Sequence, residues 1–158
     1  MTSFHKARAL VLIVPAVLMA GALGSQYVGG LYPCEMCHWQ RWPHYAAIVI
    51  ALLALAVRGE RLGKPLVVLA GLAILTSGVI AIFHAGVEYR WWEGLTTCSA
   101  PPAGGSPDDI LKAILAAPVT RCDQVQWSLF GISLAGFNAI ISIAASLTIF
   151  GLCLKRPR

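Results

Sequence analysis

Charge is what this sequence has least of. Only 12% of its 158 residues are Asp, Glu, Lys or Arg, about half the share of an ordinary soluble domain. Acids are scarcer than bases, 7 against 12, which leaves a net charge of +5. So little charge cannot cover a water-facing surface, and a soluble globular domain is excluded as the first reading. Apolar residues make up 58% of the chain and form long runs with the charges between them, the pattern of an integral membrane protein. The same distribution removes nucleic-acid binding as the meaning of the positive balance. There is no internal repeat and no composition break to mark a second domain. Cysteine is also sparse, 5 residues in all, so the position of each one carries information.

The apolar runs set the architecture. Residues 9–28 are uncharged and long enough to cross a bilayer core. The small residues at 20–25 resemble a signal-peptide cleavage site, but the run exceeds the usual apolar region of such peptides, so a retained helix is expected. A second run ends at Val57. Counted from Tyr45 it reaches about 20 Å, too short to span; begun near Cys37 it suffices, so a helix over 37–57 is expected, with Pro43 kinking it or loosening its first turns. Residues 65–87, opened by Pro65, and 127–154 complete four spans. The sequence therefore predicts an all-α, single-domain four-transmembrane-helix bundle over 1–158, with outer loops at 29–36 and 88–126. In the longer loop, Ser106-Pro107-Asp108-Asp109 reads as an N-cap, a first-turn proline and two acids favoured by the helix dipole. Ile110, Leu111, Ile114 and Leu115 then form one apolar face before Pro118, which predicts a short interfacial helix.

Four crossings place both termini and the 58–64 loop on one side. That side holds Lys6, Arg8, Arg58, Arg61, Lys64, Lys155, Arg156 and Arg158; the other holds only Arg41, Arg90, Lys112 and Arg121. The positive-inside bias puts the termini in the cytoplasm. Trp39, Trp42, Trp91, Trp92 and Trp127 gather near the outer boundary, as an interfacial belt would.

Four of the five cysteines fall on that outer side, where disulfides persist. Cys34 and Cys37 stand at C-x-x-C spacing where the second helix begins, and Cys98 and Cys122 lie in the long loop. On a helix, positions 34, 37, 41 and 44 share one face, which aligns Cys34, Cys37, Arg41 and His44. The first turn of a helix favours a thiolate, and Arg41 sets a cation one turn away. Two structural disulfides would be the plain alternative, but bonds at a membrane face and in an open loop are the labile kind. Cys153, at the cytoplasmic end, reads as a small buried apolar residue. His84, ionisable within an apolar run, is a functional candidate by its position; Asn138 reads as an interhelical hydrogen-bonding residue, and Glu88 and Glu93 as solvated.

Two other chemistries use these residue types. Cys34-Glu35-Met36-Cys37-His38 matches the C-x-x-C-H string that attaches c-type haem, which would make the chain a membrane-anchored electron carrier with His38 as an axial ligand. That reading needs a soluble pocket and leaves Cys98 and Cys122 without a role. A zinc site from Cys34, Cys37, His38 and a loop cysteine fits by ligand type, but requires the long loop to be fixed over the motif. Neither haem nor metal is expected.

With the outward C-x-x-C followed by Gln40-Arg41, a second outward loop holding two spaced cysteines, and Cys122-Asp123-Gln124-Val125-Gln126-Trp127-Ser128-Leu129-Phe130-Gly131 leading into the last helix, nearly the whole chain resembles the bacterial inner-membrane disulfide bond formation protein B family. His38 after the second cysteine departs from the resemblance without disturbing it. The resemblance implies a thiol:quinone oxidoreductase of the inner membrane, which reoxidises a periplasmic thioredoxin-like (DsbA-like) disulfide oxidase and passes the electrons to ubiquinone or menaquinone. It implies that the partner attacks Cys98 of a Cys98–Cys122 disulfide, that the released Cys122 either resolves the mixed disulfide or attacks Cys34 of a Cys34–Cys37 disulfide, and that Cys37 is freed as the thiolate beside the quinone. Helix position alone does not choose between Cys34 and Cys37 for that thiolate. Arg41, His44 and His84 are the candidate quinone contacts.

Overall fold

The computed structural model describes residues 2–95, 106–108 and 120–155. Among these are the helices α1 (Ser3–Tyr27), α2 (Glu35–Ala56), α3 (Glu60–Glu88) and α4 (Leu134–Leu154), with a ribbon of β1 (Ser128–Leu129) and β2 (Ile132–Ser133) before the last helix. Neighbouring helices are antiparallel. Arg8 near the start of α1 meets the end of α2, whereas Arg41 near the start of α2 meets Ala22 and Gln26 near the end of α1. Ser77 of α3 meets Asn138 of α4, and Gly71, earlier in α3, meets Ser146, later in α4. α3 packs along both α2 and α4, and α1 closes on α2 and α4.

Each helix buries one stripe at steps of three and four residues. In α1 it is Phe4, Ala7, Val11, Pro15 and Met19; in α2 it is Met36, Gln40, His44, Ala47, Ala51 and Ala54. The stripe of α2 therefore changes character along its length. Its alanines join Phe4, Ala7, Val11, Val67, Ala70, Ile74 and Ile149 in an apolar core at one end of the bundle. Its polar residues face inward at the other end, beside a second cluster of Cys34, Met36, Val87 and Cys122. Small residues let the backbones approach. A Cβ on Gly71 would lie 2.9 Å from the Phe150 ring, and one on Gly78 would lie 3.1 Å from the Ser142 side chain.

The outward faces are apolar. Val17 is 63% exposed and Leu147 63%, with Ile13, Val49, Leu52, Val79 and Ile140 also on the outside. A surface of this kind suits hydrocarbon rather than water. By length and composition α1, α3 and α4 are able to cross a membrane, which fits a multi-pass membrane protein. α2 falls short on composition because its first half holds Glu35, His38, Gln40, Arg41 and His44. The expected count of four spans thus stands at three by this measure.

The helix starts differ from the sequence reading: α1 begins at Ser3 rather than residue 9 and α2 at Glu35 rather than 37, and the other two starts have a local cause. The third helix begins at Glu60, not Pro65: Gly59, with φ 99°, turns the chain directly into a first turn carrying Glu60, and Pro65 is absorbed inside the helix. The last helix begins at Leu134, not Trp127. Phe130 and Gly131 both have positive φ, 51° and 77°, as a tight two-residue hairpin turn requires. The ribbon pairs Ser128 with Ser133 and Leu129 with Ile132, and the Ser133 side chain caps α4 by accepting from the Gly136 amide. Pro43 lies inside α2, which is continuous through it. Of the expected interfacial helix only Ser106–Asp108 fall within the described residues, and the rest lies outside them.

Arg8 ties the apolar end. Its guanidinium donates to the carbonyls of Ala54, Leu55 and Val57, the groups that a helix C-terminus leaves unpaired. At the other end, the Tyr89 hydroxyl donates to the Gly131 carbonyl and accepts from the Ser133 amide, both at 2.8 Å. Gln126 donates to the Tyr32 carbonyl at 2.9 Å. These bonds hold the segment that carries Cys122 over the start of α2.

Candidate functional site

The start of α2 is built around Cys34. Its backbone is extended, with φ −77° and ψ 173°, and its sulfur accepts from the Cys37 amide at 3.3 Å, the position of an N-cap side chain. The helix dipole and the free amides of the first turn thus converge on this pair. The two sulfurs are 2.9 Å apart as free thiols, with Cys34 donating to Cys37. Cys34 is buried, and the hydrogen bond to Cys37 followed by that burial pushes its thiol above the usual range. Cys37 is half-buried and lines a cavity.

Cys122 arrives from the loop and is also buried. Its sulfur, the Cys34 sulfur and a ring nitrogen of His84 all lie within 4.8 Å of one another. Beside it, Arg121 grips Asp123 with two bonds, 2.9 and 2.6 Å long, and holds that carboxyl below the ordinary range. The sequence paired Cys122 with Cys98, which lies outside the described residues. What the structure brings together is Cys122 with the C-x-x-C pair.

Behind the sulfurs is a chain of buried polar side chains that crosses three helices. His84 Nε2 is 3.5 Å from the Cys34 sulfur and 3.9 Å from Glu88 Oε1, and His84 Nδ1 is 2.7 Å from the Gln40 amide nitrogen. That amide nitrogen also donates to the Met36 carbonyl at 3.2 Å, and Gln40 Oε1 accepts from Asn138 Nδ2 at 2.9 Å. Asn138 Nδ2 reaches Ser77 at 3.1 Å as well, and Asn138 Oδ1 lies 3.0 Å from His44 Nε2. Ser77 donates to the Gln40 carbonyl at 2.8 Å, and Ser142 to Asn138 Oδ1 at 2.8 Å. Unpaired polar groups here would be costly, and nearly all of these are paired. The exceptions among the described residues are His44 Nδ1 and Glu88 Oε2.

A cavity of about 200 Å³ adjoins this chain of side chains, lined by residues of all four helices, with Arg121, Gln124 and Gln126 of the Cys122 segment at one end. Cys34, Cys37, Gln40, Arg41, His44, His84, Glu88 and Asn138 all line it, against Gly21, Ala22 and Ser25 of α1. Arg41 is aimed by α1, donating to Gln26 Oε1 at 2.5 Å and to the Ala22 carbonyl at 3.3 Å. The structure therefore brings Cys34, Cys37, Cys122, Arg41, His44 and His84 to one site. His38 is exposed and does not line the cavity, and Cys153 packs on the apolar core at the opposite end of the bundle.

Sequence reasoning missed Glu88, Gln40, Ser77 and Ser142. Glu88, read as solvated, has a side chain only 8% exposed, because α3 runs four residues past His84 and carries the carboxylate into the same site. The available signal was its i+4 spacing from His84. Asn138 makes the interhelical hydrogen bonds expected of it and lines the cavity too.

Comparison with known proteins agrees with this arrangement. The family model described as "Disulfide bond formation protein DsbB" matches residues 5–152. Disulfide bond formation protein B of Chromohalobacter salexigens is 33% identical over 162 residues, covering 93% of this chain and 91% of that protein. The protein of the same description from Marinobacter nauticus is 29% identical over 139 residues, covering 83% and 80%. An uncharacterized protein of Rickettsia prowazekii is 29% identical over 158 residues, covering 98% and 90%. No solved structure matches the chain significantly. With three cysteine sulfurs gathered at one end of its bundle beside a lined cavity, and matched by this family from residue 5 to residue 152, the chain belongs to the disulfide bond formation protein B (DsbB) family.

Proposed function

We propose that this redox enzyme of disulfide bond formation is a thiol:quinone oxidoreductase of the bacterial inner membrane. Four helices cross the bilayer, the termini are cytoplasmic, and the cysteine pairs face the periplasm. The partner is a soluble thioredoxin-like dithiol oxidase of the DsbA kind, and the electron acceptor is ubiquinone or menaquinone, a substrate drawn from the membrane. Overall, the partner's two thiols become a disulfide and quinone becomes quinol. Two electrons and two protons pass from one to the other, so no further reactant is needed.

The observation that carries this reading is the meeting of Cys122 with Cys34 and His84, within 4.8 Å, at the mouth of a cavity lined by Cys37 and Arg41. A loop cysteine reaches a soluble partner, and a cysteine at a membrane face reaches a lipid-soluble acceptor. The partner's thiolate attacks Cys98 of the Cys98–Cys122 disulfide, breaking that bond and releasing Cys122. Cys122 then attacks Cys34 of the Cys34–Cys37 disulfide and expels Cys37 as the thiolate. Exchange of this kind needs a thiolate attacker with access to one sulfur. His84 Nε2 stands beside the attacked sulfur. The hydrogen bond that runs from Cys34 to Cys37 marks Cys37 as the sulfur better suited to hold negative charge. Arg41, whose two hydrogen bonds go to neutral oxygens of α1, is free to pair with that thiolate or with charge developing on the quinone oxygen. The exposed His38 gives no support to the haem reading.

The test is direct. Purified protein, given a reduced thioredoxin-like partner and a short-chain quinone, is expected to form quinol and oxidised partner one for one. Partner oxidation in step with oxygen but with no quinol formed would refute the quinone reading and leave only the thiol chemistry.

A further inference from the structure

The Met36 carbonyl determines how every side chain in the buried polar chain must point. A carbonyl only accepts, so the side-chain atom of Gln40 that faces it at 3.2 Å is the amide nitrogen. The same nitrogen faces His84 Nδ1, which must then be the bare, accepting nitrogen, with the ring proton on Nε2 toward Cys34. Gln40 Oε1 therefore points the other way and needs a donor, which fixes Asn138 with Nδ2 toward Gln40 and Oδ1 toward His44. Ser142 donates to that same Oδ1, consistent with this orientation. Asn138 Oδ1 in turn requires a proton on His44 Nε2. In the neutral ring His44 Nδ1 is then a bare lone pair. It is buried in a residue 3% exposed, lacks a hydrogen-bond partner among the described residues, and belongs to a ring that lines the cavity.

A buried acceptor without a donor is a demand for one. A quinone ring offers only carbonyl acceptors and cannot meet it. The reduced ring offers hydroxyl donors and can. We infer that His44 Nδ1 is the acceptor for a quinol hydroxyl, so that this part of the cavity recognises the product form of the substrate, with Asn138 as the positioning residue that holds His44 in the accepting tautomer. The inference rests on the quinone reading above and adds to it which redox form each side chain binds. Arg41, a pure donor, serves the oxidised carbonyl; His44, a fixed acceptor, serves the reduced hydroxyl. A site of this kind holds its product once made, so turnover is limited by quinol as it accumulates.

Two measurements test this. In the first, the full-length protein in detergent micelles is labelled with ¹⁵N at its histidine rings, His44 is assigned by comparison with a His44→Phe variant, and a short-chain benzoquinol or the matching benzoquinone is added. The expected result is a bare Nδ1 in the parent whose resonance moves with quinol and is unaffected by quinone. A protonated Nδ1, or equal response to both forms, overturns the inference. The second measurement is quinone reduction with added quinol. His44→Phe, which keeps the ring volume, is expected to weaken quinol product inhibition by about tenfold, as for loss of one hydrogen bond to a buried acceptor, and to do so by more than it changes the KM for quinone. An unchanged inhibition constant, or a quinone KM raised as much as the inhibition constant, overturns it. If the parent protein oxidises its partner but neither binds nor reduces quinone, the proposed function fails and this inference falls with it. If the parent reduces quinone and only the selectivity is absent, this inference alone fails.

Discussion

Arg41 carries a charge that no acidic side chain among the described residues pairs with. Its two bonds go to the Gln26 side-chain oxygen and the Ala22 carbonyl, both neutral. None of the salt bridges among the described residues involves it. A unit negative charge about 6 Å away would be held by about 3 kcal/mol at an effective dielectric near 20, and a charge-assisted hydrogen bond contributes about 1.5–3 kcal/mol. Arg41 is half-buried and screened in part, so about 2 kcal/mol is the working figure, or about 30-fold in rate or affinity. Arg41→Met keeps the length and removes the charge. It is expected to raise the KM for quinone and lower turnover, with kcat/KM down about 30-fold. Arg41→Lys keeps the charge but cannot reach Gln26 and Ala22 with one planar fork, and falls between. The assay is steady-state quinone reduction over a full quinone titration at saturating reduced partner, paired with single-turnover thiol exchange between the partner and the enzyme without quinone. Thiol exchange is expected to be nearly unchanged in both variants. If Met and Lys variants both reduce quinone like the parent, Arg41 is an anchor between α1 and α2 and the acceptor site must be sought around His44 and His84.

Gly71→Leu is expected to destabilise the bundle by about 1–3 kcal/mol, because even a Cβ at this position comes within 2.9 Å of the Phe150 ring; thermal unfolding in detergent reads it, and an unchanged midpoint would show that α3 and α4 separate at little cost. In the reduced protein Cys37 is expected to react with iodoacetamide before Cys34 or Cys122, since Cys37 alone of the three is not fully buried and the Cys34 thiol is pushed upward; peptide mass spectrometry after brief labelling decides, and Cys34 labelled first would reverse the assignment.

The apolar helices α1, α3 and α4 were legible because their signal is bulk composition and length. The ends were not. Pro65 reads as a helix start because proline favours a first turn, yet the charged segment before it is helical too, with Glu60 and Lys64 paired at 3.7 Å. Trp127 to Ser133 reads as the top of a helix by hydropathy alone, and only the conformation at Phe130 and Gly131 makes it a ribbon. Cys34, Cys37, Arg41 and His44 were found together because one helix places them there, and period 3.6 is visible in any sequence. Cys122 beside Cys34, and His84 beside both, are contacts between distant segments that no local pattern encodes. Glu88 was misread for the same reason. The burial of a charged residue at a helix end depends on what lies over it, and here that is the segment pinned by Tyr89 and Gln126.

The division of α2 into a polar first half and an alanine-lined second half also constrains how the protein assembles. A helix whose first half carries Gln40, Arg41 and His44 toward the other helices gains little from entering hydrocarbon alone. Those groups are satisfied only when Gln26 and Ala22 of α1, Ser77 and His84 of α3, and Asn138 of α4 surround them. The alanines at 47, 51 and 54 supply the opposite half, where close approach of α1 and α3 adds dispersion to the bonds of Arg8 with the last carbonyls of α2. The larger apolar cluster thereby lies away from the cysteines, and the first half of α2 borders a cavity and, among the described residues, two orphaned polar atoms, His44 Nδ1 and Glu88 Oε2. A fully packed first half would leave no cavity for the quinone proposed above. The same four helices accommodate both demands because the transition from Gln40 and His44 to Ala47 occurs within a single buried stripe of one helix.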